Sequence, residues 1–297
     1  MLDDRIITFL TVCKYSNFTK AAYVLNLTQP AVSQHIKYLE DKYDTKLFIR
    51  DKKNITLTPA GKILFTSMES MRNDEHRILK KMKQAKDNKN SIQFGATMTI
   101  GDYEIISILP TLIQNHPNTN FSIQLNNTHS LLQMLQEGDI DFAFVEGNFS
   151  KPHYMTKTLK KEPYIAVCSA QHTFKSSIHT INDLLDETLI LREKGSGTRQ
   201  ILSNILSMEN LSPSDFSHTI EIGSIPMILQ LLKKDYGITF LYKTAIQEEL
   251  QKGILKEIHI DDFHVYHDFT CLWNKESIFS KEYEQIFNEI QQLILQK

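Results

Sequence analysis

The 297-residue chain predicts an α/β protein in two unlike parts: a basic, all-helical N-terminal end and a larger acidic α/β region, joined by one long helix. Three observations predict this. Helical periodicity runs through the first third, strands alternate with helices after it, and charge divides at the same place. Residues 1 to 90 hold 17 Lys+Arg against 10 Asp+Glu, while the rest holds 16 against 25. The formal charge of −2 therefore conceals halves of opposite sign, as expected when a nucleic-acid-binding end is attached to something else.

The first helix is predicted from Ile6, Phe9, Leu10 and Cys13, which recur at helical spacing within residues 3–15. "SNFTKAAYVL" forms a second, short helix with Ala21, Ala22 and Leu25 inward, the small alanines permitting close approach of another helix. "NLT" then has the turn length of a helix-turn-helix. In the third helix Thr28 is a typical N-cap, and Pro30 falls in the first turn, where a missing N–H costs nothing. Val32, Ile36 and Leu39 share one side and face a core. Pro30, Gln34 and Lys37 lie opposite, flanked by Gln29 and Ser33, and these amides, hydroxyls and cations suit base edges and phosphates in a DNA major groove. An ordinary solvated helix would carry a similar face. The segment that follows favours DNA. "KLFIRDKKNITLTPAG" predicts a strand from Leu47 to Arg50, a basic turn and a second strand from Ile55 to Leu57. Such a hairpin is a wing that sets Arg50, Lys52 and Lys53 beside the phosphate backbone.

Taken together, "SNFTKAAYVLNLTQPAVSQHIKYLEDKYDTKLFIRDKKNITLTPAG" closely resembles the winged helix-turn-helix of the LysR-type transcriptional regulators. The alanines of the first motif helix, the Thr-Gln-Pro-Ala-Val-Ser opening of the second, its Leu-Glu close, and the Leu-Phe-x-Arg and Leu-Thr-x-Ala-Gly that follow all match. Members often carry arginine where this chain has Gln34, which shifts the expected phosphate grip toward Lys37 and the wing. The resemblance implies a DNA-binding domain over 1–58, a dimerising linker helix and hinge over 59–90, and an effector-binding domain over 91–297. That last domain resembles a periplasmic binding protein, with lobe I at 91–160 and 268–297, lobe II at 161–267, and a small effector in the cleft between them. It also implies a homodimer assembling to a homotetramer on double-stranded promoter DNA, with contact to RNA polymerase.

The linker has support of its own. Thr58-Pro59 is a cap followed by proline at the first helical position. Leu64, Met68, Met71, Glu75, Ile78, Met82 and Ala85 then alternate spacings of four and three, an a/d seam broken by Glu75. Periodicity leaves open an amphipathic helix packed on its own domain. Dimeric reading favours a coiled coil, because two recognition helices must be held about 34–36 Å apart. The dimerising residues on this reading are Leu64, Met68, Met71, Ile78 and Met82, with "KDNKNS", Lys86 to Ser91, as the hinge.

Beyond it, "SIQFG", "NFSIQLN", "DIDFAFVEG", "EPYIAVCSA", "ETLILRE", "HTIEIG", "YGITFLY" and "FTCLWNK" read as strands with helices between them and a last helix from Ser280. That alternation predicts α/β with a largely parallel sheet. Ligands of open α/β sheets sit beyond the carboxyl ends of strands. Candidate effector contacts are therefore Thr97 and Thr99 in "GATMTIG", Thr128 at the next helix start, and Ser196, Thr198 and Arg199 in "REKGSGTRQIL", with Ser224 as a further candidate. Hydroxyls at several helix N-termini around one cleft favour an anion, and Arg199 either completes that site or pairs with Glu193. The Gly-Ser-Gly-Thr-Arg run resembles the branch of the family containing regulators of sulfur assimilation and carbon fixation, although a simple turn and cap has the same residues.

No enzyme signature emerges. Gly195 to Gly197 lacks the third glycine of a dinucleotide fingerprint and the lysine of a phosphate-binding loop. The eleven histidines are scattered, so no metal and no cofactor are expected beyond the effector. Three distant cysteines suit a reducing cytosol rather than a disulfide framework. With neither an 18-residue apolar run nor a charged-then-apolar leader in the sequence, no membrane partner and a cytoplasmic location are expected. The reading is a ligand-responsive DNA-binding regulator. A DNA-organising protein without a ligand is the rival, and it would have no use for a cleft.

Overall fold

The computed structural model describes residues 2–51, 54–85, 90–147, 149, 154–261 and 263–296. Helix α1 spans Asp4–Tyr15, α2 Phe18–Val24 and α3 Gln29–Lys42. The Thr28 hydroxyl accepts from Ala31 N at 3.3 Å, the expected cap. Val32, Ile36 and Leu39 are buried with Phe9, Leu10, Ala21 and Ala22 in one small core. Strands β1 (Phe48–Asp51) and β2 (Asn54–Leu57) pair antiparallel as the wing.

Helix α4 runs from Pro59 to Ala85, about 40 Å at 1.5 Å per residue, and Thr58 caps it by accepting from Gly61 N at 2.9 Å. Its sides have different surroundings. Leu64, Phe65 and Met68 pack on the core of the first three helices. Asn73, Asp74 and Arg77 dock on the α/β region: Asn73 Nδ2 donates to Leu135 O at 2.9 Å, and Asp74 accepts from Ser277 Oγ at 2.6 Å and Ile278 N at 2.9 Å. Arg77 pairs with Asp141 at 2.5 Å and lies over the rings of Phe279 and Tyr283. Farther along the helix, the seam that Leu64 and Met68 begin leaves Met71, Ile78 and Met82 exposed, with Leu79 beside them.

In lobe I, β3 (Asn90–Thr97) lies between β4 (Thr119–Asn126) and β5 (Phe142–Val145), parallel to both. Helix α5 (Met98–Ile100) leads through a π-helical turn, Gly101–Ile105, into α6 (Ile106–Asn115), and α7 spans Thr128–Glu137. Two long strands, β6 (Tyr154–Ser169) and the late β11 (Val265–Asn274), carry the chain between lobes and pair antiparallel. The expected crossings, 161 and 267, fall inside them, where Lys161 faces Asp268, next to a bulge at Phe269/Thr270.

Lobe II adds β7 (Thr188–Leu191), α8 (Gly197–Met208), β8 (His218–Glu221), α9 (Ile225–Lys233), β9 (Thr239–Tyr242), α10 (Gln247–Gln251) and β10 (Leu255–Glu257). Both β9 and β10 pair antiparallel with β6, whereas β7 and β8 are parallel. The main sheet, ordered β10-β6-β11-β5-β3-β4 with β9 also on β6, is therefore mixed rather than largely parallel. A chain that leaves a lobe on one strand and returns on its neighbour has to pair them antiparallel. Helix α11 (Ser280–Leu295) closes lobe I, its Phe287 stacked on Phe144. Of the expected hinge, residues 86–89 lie outside the described residues, and Asn90 and Ser91 begin β3.

Candidate functional site

Two surfaces matter, the outer side of α3 and the cleft between lobes. On α3, Thr28, Gln29, Pro30, Gln34 and Lys37 are exposed and Ser33 is half-buried. The fold thus leaves them uncovered on one side while Val32, Ile36 and Leu39 anchor the other. Gln29 Nε2 donates to Ser33 Oγ at 2.9 Å, which orients both side chains together. Lys37 and Ser33 line a groove that continues to Lys46 and Phe48 at the base of the wing. Arg5 stacks over Tyr38, 3.9 Å from the ring centre, adding a cation beside that side of α3 that the sequence reading did not single out. Arg50 lies on β1, opposite Ile55. Lys52 and Lys53 lie outside the described residues.

The cleft holds a group the sequence reading passed over. Glu146, at the carboxyl end of β5, is 2% exposed. Its carboxylate accepts hydrogen bonds from the hydroxyls of Thr97, Thr99 (3.4 Å) and Thr198 (3.3 Å). Thr128 Oγ1 donates to the Glu146 carbonyl at 2.8 Å. Three expected effector contacts thus converge on the chain's own carboxylate, Thr198 from lobe II and Thr97 and Thr99 from lobe I, while Thr128 holds the main chain of the same residue. Burial pushes the Glu146 carboxyl up, opposed by the threonine hydroxyls and by Arg192.

Arg192, immediately after β7, is 3% exposed. Its Nε and Nη2 donate to Glu193 at 2.9 and 3.1 Å, and its buried Nη1 has no partner among the described residues. The remaining candidates divide. Ser196 caps α8, accepting from Arg199 N at 3.5 Å. Arg199 donates to Arg192 O at 3.0 Å and pairs with Glu221, so the partner of Glu193 is Arg192. Thr128 opens α7 as expected, and Asn127 caps it. Ser224 precedes α9 without a side-chain cap bond and does not join the cluster on Glu146. Beside the cluster lies a cavity of about 460 Å³ lined by Thr128, His129, Lys194, Ser196, Arg199 and neighbours. Its mouth is basic.

Comparison with known proteins finds a match for each part of the chain. Residues 4–62 match the bacterial regulatory helix-turn-helix protein, lysR family, and residues 85–293 match the LysR substrate binding domain. The chain belongs to the LysR family. Similar relatives of this LysR-type regulator include a probable RuBisCO transcriptional regulator of Trieres chinensis, 29% identical over 92% of this chain and 91% of the relative. Another is the HTH-type transcriptional regulator CysL of Bacillus subtilis (strain 168), 28% identical over 89% and 88%. Among solved structures, the Synechocystis PCC6803 CcmR regulatory domain in complex with 2-PG has a TM-score of 0.62 at 21% identity, covering 69% of this chain and 98% of that one. Full-length BenM gives 0.57 at 21% identity, covering 99% and 96%. A cysteine-to-serine mutant of Corynebacterium glutamicum OxyR gives 0.60 at 23%, covering 99% and 92%. The fold is therefore that of a DNA-binding regulator with an effector domain.

In this LysR-family chain the lobes are also linked by a second polar cluster. Lys160 on β6 pairs with Glu104 at 2.6 Å and Glu162 at 2.8 Å, while Thr244 of lobe II donates its N–H to Glu162 at 2.7 Å and its hydroxyl to Glu104. Glu104 sits in the π-helical turn, a feature frequent at functional sites. The thiols are set apart from this chemistry: Cys168 and Cys271 are buried and Cys13 half-buried. Burial pushes Cys13 and Cys168 up to about 12, the opposite of an activated thiolate. Among the described residues no cluster of three His, Cys, Asp or Glu is placed to hold a metal, and no helix is long and apolar enough to cross a membrane.

Proposed function

We propose that this regulator reads promoter DNA with α3, Gln29, Ser33 and Gln34 facing bases while Thr28, Pro30, Lys37 and the wing residues Arg50, Lys52 and Lys53 sit on phosphates. It responds to a small anionic metabolite held between the lobes by Thr97, Thr99, Thr128, Ser196, Thr198 and Arg199, with Ser224 at the periphery. The convergence of threonine hydroxyls from both lobes on one carboxylate carries the second half of this reading, because a donor set that satisfies Glu146 suits the oxyanion of a ligand equally well. The Nη1 of Arg192, unpartnered among the described residues, and the cations Lys194 and Arg199 lining the cavity point the same way.

Subunits pair along α4 through Met71, Ile78 and Met82, with Leu64 and Met68 bracing the same helix against the DNA-binding domain. Two such dimers form a homotetramer on one promoter in the cytoplasm and there contact RNA polymerase. Effector binding changes the lobe angle only insofar as the effector binds one arrangement more tightly.

For the DNA surface, Ser33→Ala should cost about 1–3 kcal/mol at the operator with random DNA unaffected. Lys37→Ala should weaken all sequences and lower the salt slope by about one unit. Fluorescence anisotropy on operator and scrambled duplexes distinguishes them, and equal losses for Ser33→Ala would remove its base-reading role. For the cleft, a thermal-shift screen of anionic metabolites should find one that stabilises by about 2.7 kcal/mol at 100 times its dissociation constant. Thr198→Val should then lose roughly 1–3 kcal/mol of that binding, and an unchanged response would place the effector elsewhere.

A further inference from the structure

Glu146 already occupies the position an oxyanion would take. Its two oxygens are held by Thr97, Thr99 and Thr198, it is 2% exposed, and Thr198 reaches it from the other lobe. An arriving anion must share these hydroxyls with it. Two buried negative charges at contact distance cannot both stay ionised without strong compensation. We propose that binding of an oxyanion in this cleft is coupled to the uptake of one proton from solution by Glu146, whose neutral carboxyl then donates to the anion. This rests on the anion-binding reading above and adds a regulatory property to it: affinity for the effector falls as pH rises.

Of the ionisable groups around Glu146, His129 on α7 and Arg199 on α8 line the adjoining cavity, and the Glu146→Gln comparison separates any contribution of His129 or Asp102 from that of Glu146; the others are fixed by burial or pairing. From β6, Tyr164 donates its phenol to Thr198 O at 2.9 Å, and from β9, Tyr242 has a buried hydroxyl with no partner among the described residues. Burial pushes both phenols up, so they remain neutral. After β7, Arg192 is held by Glu193 and offers Nη1 as a fixed positive charge, which favours either anion but cannot fully neutralise both. Asp102 follows α5 on the Arg192 side, where burial raises its carboxyl and Arg192 lowers it. Glu162 on β6 is matched by Lys160 at 2.8 Å. On β5 itself, the residues before Glu146 are Phe142 to Val145, none of them titratable. Burial pushes the Glu146 carboxyl up even before a ligand arrives, and a second negative charge pushes in the same direction.

Sulfate is a suitable probe because its charge does not change across neutral pH, so any pH dependence belongs to the protein. Its dissociation constant for the full-length protein, measured by calorimetry between about pH 5.5 and 8.5, should rise toward tenfold per pH unit on the alkaline side, the slope for one linked proton. In two buffers of different ionisation enthalpy, wild-type protein near pH 8 should take up close to one proton per sulfate bound. Glu146→Gln places a neutral donor at the same position. It should bind sulfate with a pH-independent constant, at least about tenfold tighter than wild type near pH 8. Sulfate binding by wild type with no proton uptake and no pH dependence would overturn the coupling while leaving the anion site standing. A Glu146→Gln protein that binds sulfate more weakly than wild type at every pH would also overturn it. Sulfate binding by neither protein would overturn the anion reading itself. His129→Gln should keep the proton uptake, so the coupling is tested even if Glu146→Gln folds poorly, and loss of the uptake in His129→Gln would overturn its assignment to Glu146.

Discussion

Ile78→Glu should split the dimer and lower affinity for a two-half-site operator by at least about 100-fold, the usual gain from tethering two binding modules. Met71, Ile78 and Met82 are 53%, 40% and 63% exposed in the single chain and follow one another at spacings of seven and four. Ile63 and Leu79, also exposed, widen the same apolar stripe. A long helix with such a stripe on an otherwise polar surface buries it against another helix, and the spacing suits a partner α4. Glutamate is a good helix former, so α4 itself survives the substitution. The docking side, Asn73, Asp74 and Arg77, is untouched. The loss should therefore appear in sedimentation and operator binding together, with each half-site still bound at the weak affinity of one head. An unchanged sedimentation profile with unchanged operator affinity would mean that the stripe lies elsewhere in the assembly.

The helical end was legible because its information is local. Thr28, Pro30 and the Val32, Ile36, Leu39 stripe fix α3 by capping and periodicity within fourteen residues, and the wing follows from two short alternating runs around a polar turn. The α/β order was legible for the same reason. What escaped were features set by pairing over long distances. Residues that pair between β6 and β11 are more than a hundred apart in sequence, and nothing within either strand states that they run antiparallel, so the sheet reads as more parallel than it is. Helix α4 showed a seam but not its second role: Asp74 finds Ser277 and Arg77 finds Asp141 only after folding. In the cleft the hydroxyl donors could be named from their places at helix starts, but not the acceptor they share. A signal for Glu146 and Arg192 did exist. Both are the first polar residues beyond the carboxyl ends of strands, the place where ligands bind in such sheets, and the glutamate is followed by Gly147. A carboxylate in a site expected to hold an anion looks like a contradiction in sequence, and becomes intelligible only when three hydroxyls are seen to satisfy it.

Gly197→Ala should destabilise the effector domain and abolish its response to anions, although local propensity argues the reverse. Gly197 begins α8, and its φ lies outside the left-handed region, so alanine can adopt the backbone there and should gain about 0.5–1 kcal/mol of helix propensity. Space decides the other way. A Cβ at Gly197 would overlap the Glu146 carbonyl oxygen and lie 2.8 Å from both the Glu146 carbonyl carbon and Thr128 Oγ1. Across the same gap, a Cβ at Gly147 would come 2.6 Å from Gly197 Cα. The two lobes therefore meet backbone to backbone at a pair of glycines, and a backbone cannot rotate aside as a side chain can. Overpacking of this kind costs about 1–3 kcal/mol and occasionally more, enough to outweigh the propensity gain. Relief comes from parting the lobes, which draws Thr198, the next residue, away from Glu146. The melting temperature should fall by several degrees, at roughly 2–4 °C per kcal/mol for a domain of this size, and the thermal shift produced by a bound anion should disappear. Gly253→Ala is the control for backbone strain without crowding, because its φ is +64° and a Cβ there meets nothing within 4 Å. It should cost stability but keep the anion response. If Gly197→Ala instead melted higher than wild type and still responded, the lobes would rest apart in solution and Glu146 would not be bridging them.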